Sequence, residues 1–121
     1  MLNKKTLVLG ASDNPSRYSY LALKSLQAKG HDVTVIGKRS GQVGHVQIQT
    51  QQKDIPNLDT VTLYLNHANQ KQYYDYILSL HPKRIIFNPG AENEELAALA
   101  KQHNILPQEA CTLVLLSTGQ Y

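Results

Sequence analysis

The chain has 121 residues, 41% of them hydrophobic and 17% charged, with 12 Lys and Arg against 9 Asp and Glu for a formal charge of +3, which is the scale of one compact domain spanning residues 1–121. Adjacent cations occur only at Lys4–Lys5, Lys38–Arg39 and Lys83–Arg84, so there is no basic stripe with interleaved aromatics and no nucleic-acid partner is expected. The single cysteine, Cys111, excludes an internal disulfide and fits a reducing compartment, while the early apolar run Leu7–Val8–Leu9 is too short for a signal peptide or membrane span, so a cytoplasmic location without membrane contact is expected.

Thr6 to Leu9, followed by Gly10, reads as a buried strand. The helix after it places Tyr18, Leu21, Ala22, Ser25, Leu26 and Lys29 on one face, with Asn14 as its cap, Pro15 in its first turn and Gly30 as its stop. Val33 to Ile36 is a second buried strand. Residues 37–58 are the loosest stretch, with turns at Gly37, Gly41 and Gly44, and with His45 to Gln49 alternating as a short edge strand. Val61 to Leu65 is the next strand. A helix over 69–80 follows, with Tyr73, Tyr76, Ile77 and Leu80 on one side and Pro82 beyond its end. Ile85 to Phe87 is a strand broken by Asn88-Pro89-Gly90. The segment 92–103 reads as a helix whose acids sit in its first turn, where the helix dipole favours them. Ile105–Leu106 begins a last short strand, and periodicity leaves 110–116 open between helix and strand. This alternation of apolar strands with helices predicts an α/β, Rossmann-like, three-layer fold: a mainly parallel sheet of about five or six strands, helices on both faces, the first strand central.

Candidate chemistry gathers at the carboxyl ends of the strands. Gly10-Ala11-Ser12-Asp13-Asn14-Pro15 occupies the place of a G-x-G-x-x-G loop, with Ser12 and Pro15 standing where the second and third glycines would be. Gly10 permits the sharp turn, Ser12 brings a hydroxyl as well as an N–H, and Arg17, with Tyr18 beside it, lies where it could fold over a phosphate at the helix N-terminus. After the second strand an NAD site carries an acid for the ribose hydroxyls. Here Lys38 and Arg39 follow Gly37 instead, which disfavours NAD and suits a phosphorylated ribose, as in coenzyme A or NADP; an ordinary solvated basic turn has the same composition. The switch-point crevice would open beside the first strand, near Asn66 and His67, with Asn88, Gly90 and Asn93 close by and Glu92 as a helix-start acid. Histidines 31, 45, 67, 81 and 103 show no metal-ligand spacing, and no nucleophilic triad can be placed. Cys111 reads as a buried thiol, and the tyrosines at 73, 74 and 76 as a packing face.

Three stretches carry a family resemblance: Gly10-Ala11-Ser12 with Asn14-Pro15-Ser16-Arg17-Tyr18-Ser19; Phe87-Asn88-Pro89-Gly90-Ala91-Glu92-Asn93; and Ala110-Cys111-Thr112-Leu113-Val114 with the ending Thr118-Gly119-Gln120-Tyr121. Over nearly its whole length the chain resembles the stand-alone CoA-binding domain proteins of bacteria, and is similar to the CoA-binding domain of the succinyl-CoA synthetase alpha subunit. That enzyme continues into a domain with a phosphorylated histidine, which this chain is expected to lack. Relatives often carry Asn-Pro after the second strand, where this chain has Gly37-Lys38-Arg39. The resemblance implies a Rossmann-like fold and a CoA or acyl-CoA ligand with its diphosphate on the first loop; it implies no established reaction, and the leading expectation is a CoA-binding module without catalysis of its own. Set against it are a small NADP-dependent oxidoreductase, distinguishable by nicotinamide turnover, and a degenerate Rossmann domain acting through protein contacts, which would ignore every nucleotide.

Overall fold

The computed structural model describes residues 3–121. Its centre is a fully parallel sheet built from β1 (Thr6–Leu9), β2 (Val33–Ile36), β5 (Thr60–Leu63), β6 (Arg84–Phe87) and β7 (Leu106–Glu109), in the order β2-β1-β5-β6-β7. Thr6 lies opposite both Val33 and Thr60, and Leu9 opposite both Ile36 and Leu63, so three strands end flush where the candidate loops begin. The chain runs outward from β1 to β2 and then crosses to the other side of β1 to form β5, which makes the β1/β5 junction the topological switch point. The middle strand is β5, with β1 beside it.

Every residue of β1, β5 and β6 is buried, and their side chains alternate between two layers, one apolar and one that also holds the polar Thr6, Thr60, Thr62 and Arg84. Leu7, Leu9, Val61, Leu63, Ile85 and Phe87 pack one face with α3 (Tyr74–Ser79) and α4 (Glu94–Gln102). Val8 and Val35 pack the other with Leu23 and Leu26 of α1 (Tyr18–Ala28) and Leu116 of α5 (Thr112–Ser117). Each fully buried Leu or Ile side chain contributes about 1.5–3 kcal/mol relative to an exposed one. This is the expected Rossmann-like arrangement, with five strands.

Several local expectations need correction. The buried stripe of α1 is Ser19, Ala22, Leu23 and Leu26, whereas Tyr18 is 71% and Leu21 42% exposed. Asn14 does not cap α1, because its Oδ1 accepts from Ser16 N (3.0 Å) and Ser16 Oγ (2.8 Å); Pro15 therefore lies in a separate turn and Arg17 takes the cap position. The 69–80 helix is three pieces: α2 (His67–Gln70), a 3-10 turn (Lys71–Tyr73) and α3. Buried Gln70 donates Nε2 to Leu65 O (2.8 Å) and Ala91 O (2.7 Å), anchoring the first turn before the chain redirects. The edge strand near His45 is β4 (Val46–Ile48), which pairs antiparallel with β3 (Gly41–Val43) in a small hairpin rather than joining the sheet. Its link to β2 is an Ile36–Gln49 bridge, where Gly37 N donates to Gln49 O (2.9 Å) and Gln49 N to Val35 O (3.0 Å).

At the amino end of the sheet, buried Arg84 donates Nε and Nη2 to Thr60 Oγ1 (3.1 and 3.0 Å) and Nη1 to Tyr121 O (3.2 Å), with the Tyr121 ring 4.5 Å from the guanidinium. His31 is buried beside this ring and accepts at Nδ1 from Lys4 N (2.9 Å). Burial first, then the positive charges of Lys4 and Arg84, hold the His31 pKa below its ordinary value against the opposing pull of Asp59. Among the described residues no helix is long and apolar enough to cross a membrane.

Candidate functional site

The carboxyl ends of β1, β2 and β5 open into a cleft of about 750 Å³. Gly10 begins it with φ +93°, and a Cβ there would stand 3.0 Å from both Leu65 Cγ and Tyr64 C, so conformation and space both require glycine. The loop does not offer all its N–H groups to the cleft: Gly10 N and Ala11 N both donate to Ile36 O, at 2.9 and 3.0 Å. Gly37 makes this fastening possible, since a Cβ at that position would lie 2.4 Å from Ala11 O. Further along, Asn14 N donates to Ser12 Oγ (3.1 Å) and Arg17 N to Asn14 O (3.0 Å).

The next donors are free. Helix α1 opens with Arg17 in extended conformation, no side-chain cap and no acid in its first turn. The N–H groups of Tyr18, Ser19 and Tyr20 have no acceptor among the described residues. Two of these residues, Tyr18 and Ser19, line the cleft together with the cations Arg17, Lys38 and Arg39. An open helix N-terminus beside three cations is an anion-binding arrangement.

Of the residues singled out in the sequence, Gly10, Ala11, Ser12 and Asn14 line the cleft from the first loop, Arg17 and Tyr18 from the start of α1, and Lys38 and Arg39 from the loop after β2. The others are placed around it. Pro15 is exposed in the turn before α1. Asn66 caps α2, its Oδ1 accepting from Asn69 N (3.0 Å), and His67 is exposed on that same turn. Asn88 is only 2% exposed: Nδ2 donates to Thr62 Oγ1 (2.7 Å) and Leu63 O (2.9 Å), and Oδ1 accepts from Thr112 N (2.9 Å). It therefore ties the 88–90 loop and α5 to β5, and its neighbour Pro89 lines the cleft. Gly90, at φ +92°, donates its N–H to Glu92 Oε1 (2.8 Å), so Glu92 closes a turn instead of starting the helix. Asn93, read from sequence as near the cleft, is instead the buried cap of α4, accepting from Leu96 N (3.1 Å) and donating to Gln70 Oε1 (3.0 Å) and Tyr74 OH (2.7 Å).

Sequence reasoning passed over Asp13, Ser19, Ser40, Tyr64 and Pro89 as lining residues. Tyr64 follows β5 directly at the switch point, the one signal that marks it. Burial pushes its phenol pKa up to about 12, against the lowering effect of the Thr112 and Thr62 hydroxyls, so it stays protonated at neutral pH. Cys111 is half-buried at the start of α5, and no group of three or more metal-ligating side chains exists among the described residues.

A family model described as a CoA binding domain matches residues 4–117. The chain belongs to this CoA-binding domain family. It is similar to an uncharacterized protein of known crystal structure, with 47% identity, TM-score 0.97 and full coverage of both chains. A hypothetical protein from Pyrococcus horikoshii OT3 shares the fold at TM-score 0.86 and 21% identity, over 96% of this chain and 83% of that one. A dinucleotide-forming acetyl-coenzyme A synthetase from Ca. Korarchaeum cryptofilum, solved with phosphate and ADP, shares it at TM-score 0.67 and 19% identity. There 87% of this chain aligns with 25% of the larger enzyme. No curated protein matches the chain.

Proposed function

We propose that the chain binds coenzyme A or an acyl-CoA in this cleft and acts as a binding module without a reaction of its own. The diphosphate would sit against the free N–H groups of Tyr18, Ser19 and Tyr20, with Ser12 and Arg17 beside it. Lys38 and Arg39 would take the ribose 3′-phosphate, and the pantetheine arm would leave past Pro89. The observation that carries this reading is the uncapped, acid-free N-terminus of α1 opening onto a cleft with three cations. Membership of the CoA-binding domain family supports it independently. A charge-assisted hydrogen bond from Arg17 to the diphosphate would contribute about 1.5–3 kcal/mol.

A thermal-shift and calorimetry panel of CoA, acetyl-CoA, dephospho-CoA, NADP and NAD tests the assignment. CoA and acetyl-CoA should stabilise the protein most, by about 2.7 kcal/mol at a ligand concentration 100 times Kd, and NAD least. Equal shifts with NAD and CoA would refute the ligand assignment, and steady oxidation of a nicotinamide would replace it with the reductase reading.

A further inference from the structure

The charged residues of the cleft wall are cations with one exception. Among its lining residues in the described chain, Asp13 is the single acid. Asp13 is exposed, and its carboxylate lies beside Gly41. Gly41 has no side chain, and a Cβ there would stand 2.7 Å from Asp13 Oδ2 and 3.1 Å from Asp13 Cγ. The Asp13 side chain thus occupies the space that Gly41 leaves, against the segment that carries Lys38, Arg39 and Ser40. No donor among the described residues hydrogen-bonds to it. The wall that presents two cations to a phosphate therefore also presents an unused carboxylate.

A carboxylate only accepts hydrogen bonds. It binds a hydroxyl and repels a phosphate, while Lys38 and Arg39 attract the phosphate. A ribose with one phosphate and one neighbouring hydroxyl offers both partners at once, and the order of the two then matters. Resting on the CoA reading above, we propose that Asp13 is a specificity-determining residue, its carboxylate accepting the ribose 2′-hydroxyl beside the 3′-phosphate held by Lys38 and Arg39, so that the cleft rejects a ribose phosphorylated at the 2′ position. The inverted arrangement of NADP would press its phosphate against the Asp13 carboxylate.

Adenosine 3′,5′-bisphosphate and adenosine 2′,5′-bisphosphate are probes of equal charge and size that differ only in this position. Calorimetric titration of both into the natural protein should show preference for the 3′,5′ isomer. Asp13→Asn, which keeps the size and removes the charge, should shrink that preference by about fivefold, mainly by tightening the 2′,5′ isomer; this is the effect of one exposed charged contact. Equal affinity of the natural protein for the two isomers would overturn the inference without recourse to any variant. A variant that changes both affinities by the same factor would overturn it too, since Asp13 would then act only through the general field. CoA is titrated alongside. CoA binding without isomer preference, or without binding of either bisphosphate, defeats this inference and leaves the CoA assignment standing, whereas absence of CoA binding defeats the assignment on which it rests.

Discussion

Replacing Tyr18 by Asp places a carboxylate at the first residue of α1, and the effects on folding and on binding should have opposite signs. The side chain is 71% exposed, so little packing is lost. The first turn has no acid and no side-chain cap, so a new negative charge meets the positive end of the helix dipole and stabilises the fold by about 0.3–1 kcal/mol. For a chain of this length that is a rise of about 1–4 °C in Tm. The same charge would lie roughly 5 Å from a diphosphate seated on the N–H groups of Tyr18 to Tyr20, where Coulomb repulsion is about 0.8 kcal/mol at bulk-water permittivity and about 3 kcal/mol at an effective value near 20. CoA affinity should therefore fall between about fourfold and about 200-fold. Tyr18→Asn removes the ring without adding charge and separates the two contributions. Calorimetry at low and high salt supplies the second control, because screening over about 10 Å at 0.1 M should narrow the loss for the Asp variant and leave the Asn variant unchanged. Equal losses in both variants would mean that the ring, not the charge, matters. No loss in either, with Tm raised in the Asp variant, would refute the placement of the diphosphate at α1.

Gly37→Ala would set a methyl 2.4 Å from Ala11 O, and backbone must move on one side or the other; the fold should lose about 1–3 kcal/mol in urea denaturation, and CoA affinity should fall with it because the first loop is displaced. Exchanging Lys38 and Arg39 together for Ala should weaken CoA by about tenfold or more while leaving dephospho-CoA nearly unchanged, a difference that calorimetry reads directly. For His31 the folded pKa is lowered, so the unfolded chain binds the proton more readily: its contribution is fully present above the unfolded value of about 6.5 and is lost as pH falls below that towards the folded value. Thermal melts between pH 8 and 5 should show this decline, and His31→Gln should flatten it.

The sheet was legible because its inner strands are short, β-branched and apolar stretches with no position given to solvent, and a parallel sheet covered on both faces buries such stretches completely. The ends of helices were less so. Asn14 and Asn93 look alike in sequence, both asparagines ahead of an apolar stripe, yet Ser16 occupies the Asn14 oxygen while the Asn93 oxygen is open to Leu96 N. Seven residues from 110 to 116 hold too few turns for periodicity to decide, and the Asn88–Thr112 hydrogen bond that fixes the start of α5 joins residues 24 apart. In the cleft, the loop and the two cations after β2 were readable from their order in the chain. That Gly10 and Ala11 turn their N–H groups inward was not, because their acceptor is the carbonyl of Ile36, at the end of a neighbouring strand. Tyr64 carries only the mark of following β5 directly, while Asp13 meets the wall through the space left at Gly41, 28 residues further along the chain, which nothing local to Asp13 announces.

The double hydrogen bond onto Ile36 O has a consequence for the rate at which a ligand is captured. A loop laced to the adjacent strand before any ligand arrives surrenders little freedom on complex formation, so the entropy of ordering is already spent during folding. On the proposed reading of the cleft, association should wait on no closing step and be governed by diffusion and by the field of Arg17, Lys38 and Arg39. The association rate constant should fall steeply with ionic strength while remaining first order in ligand at high concentration, without the plateau that a slow rearrangement would impose.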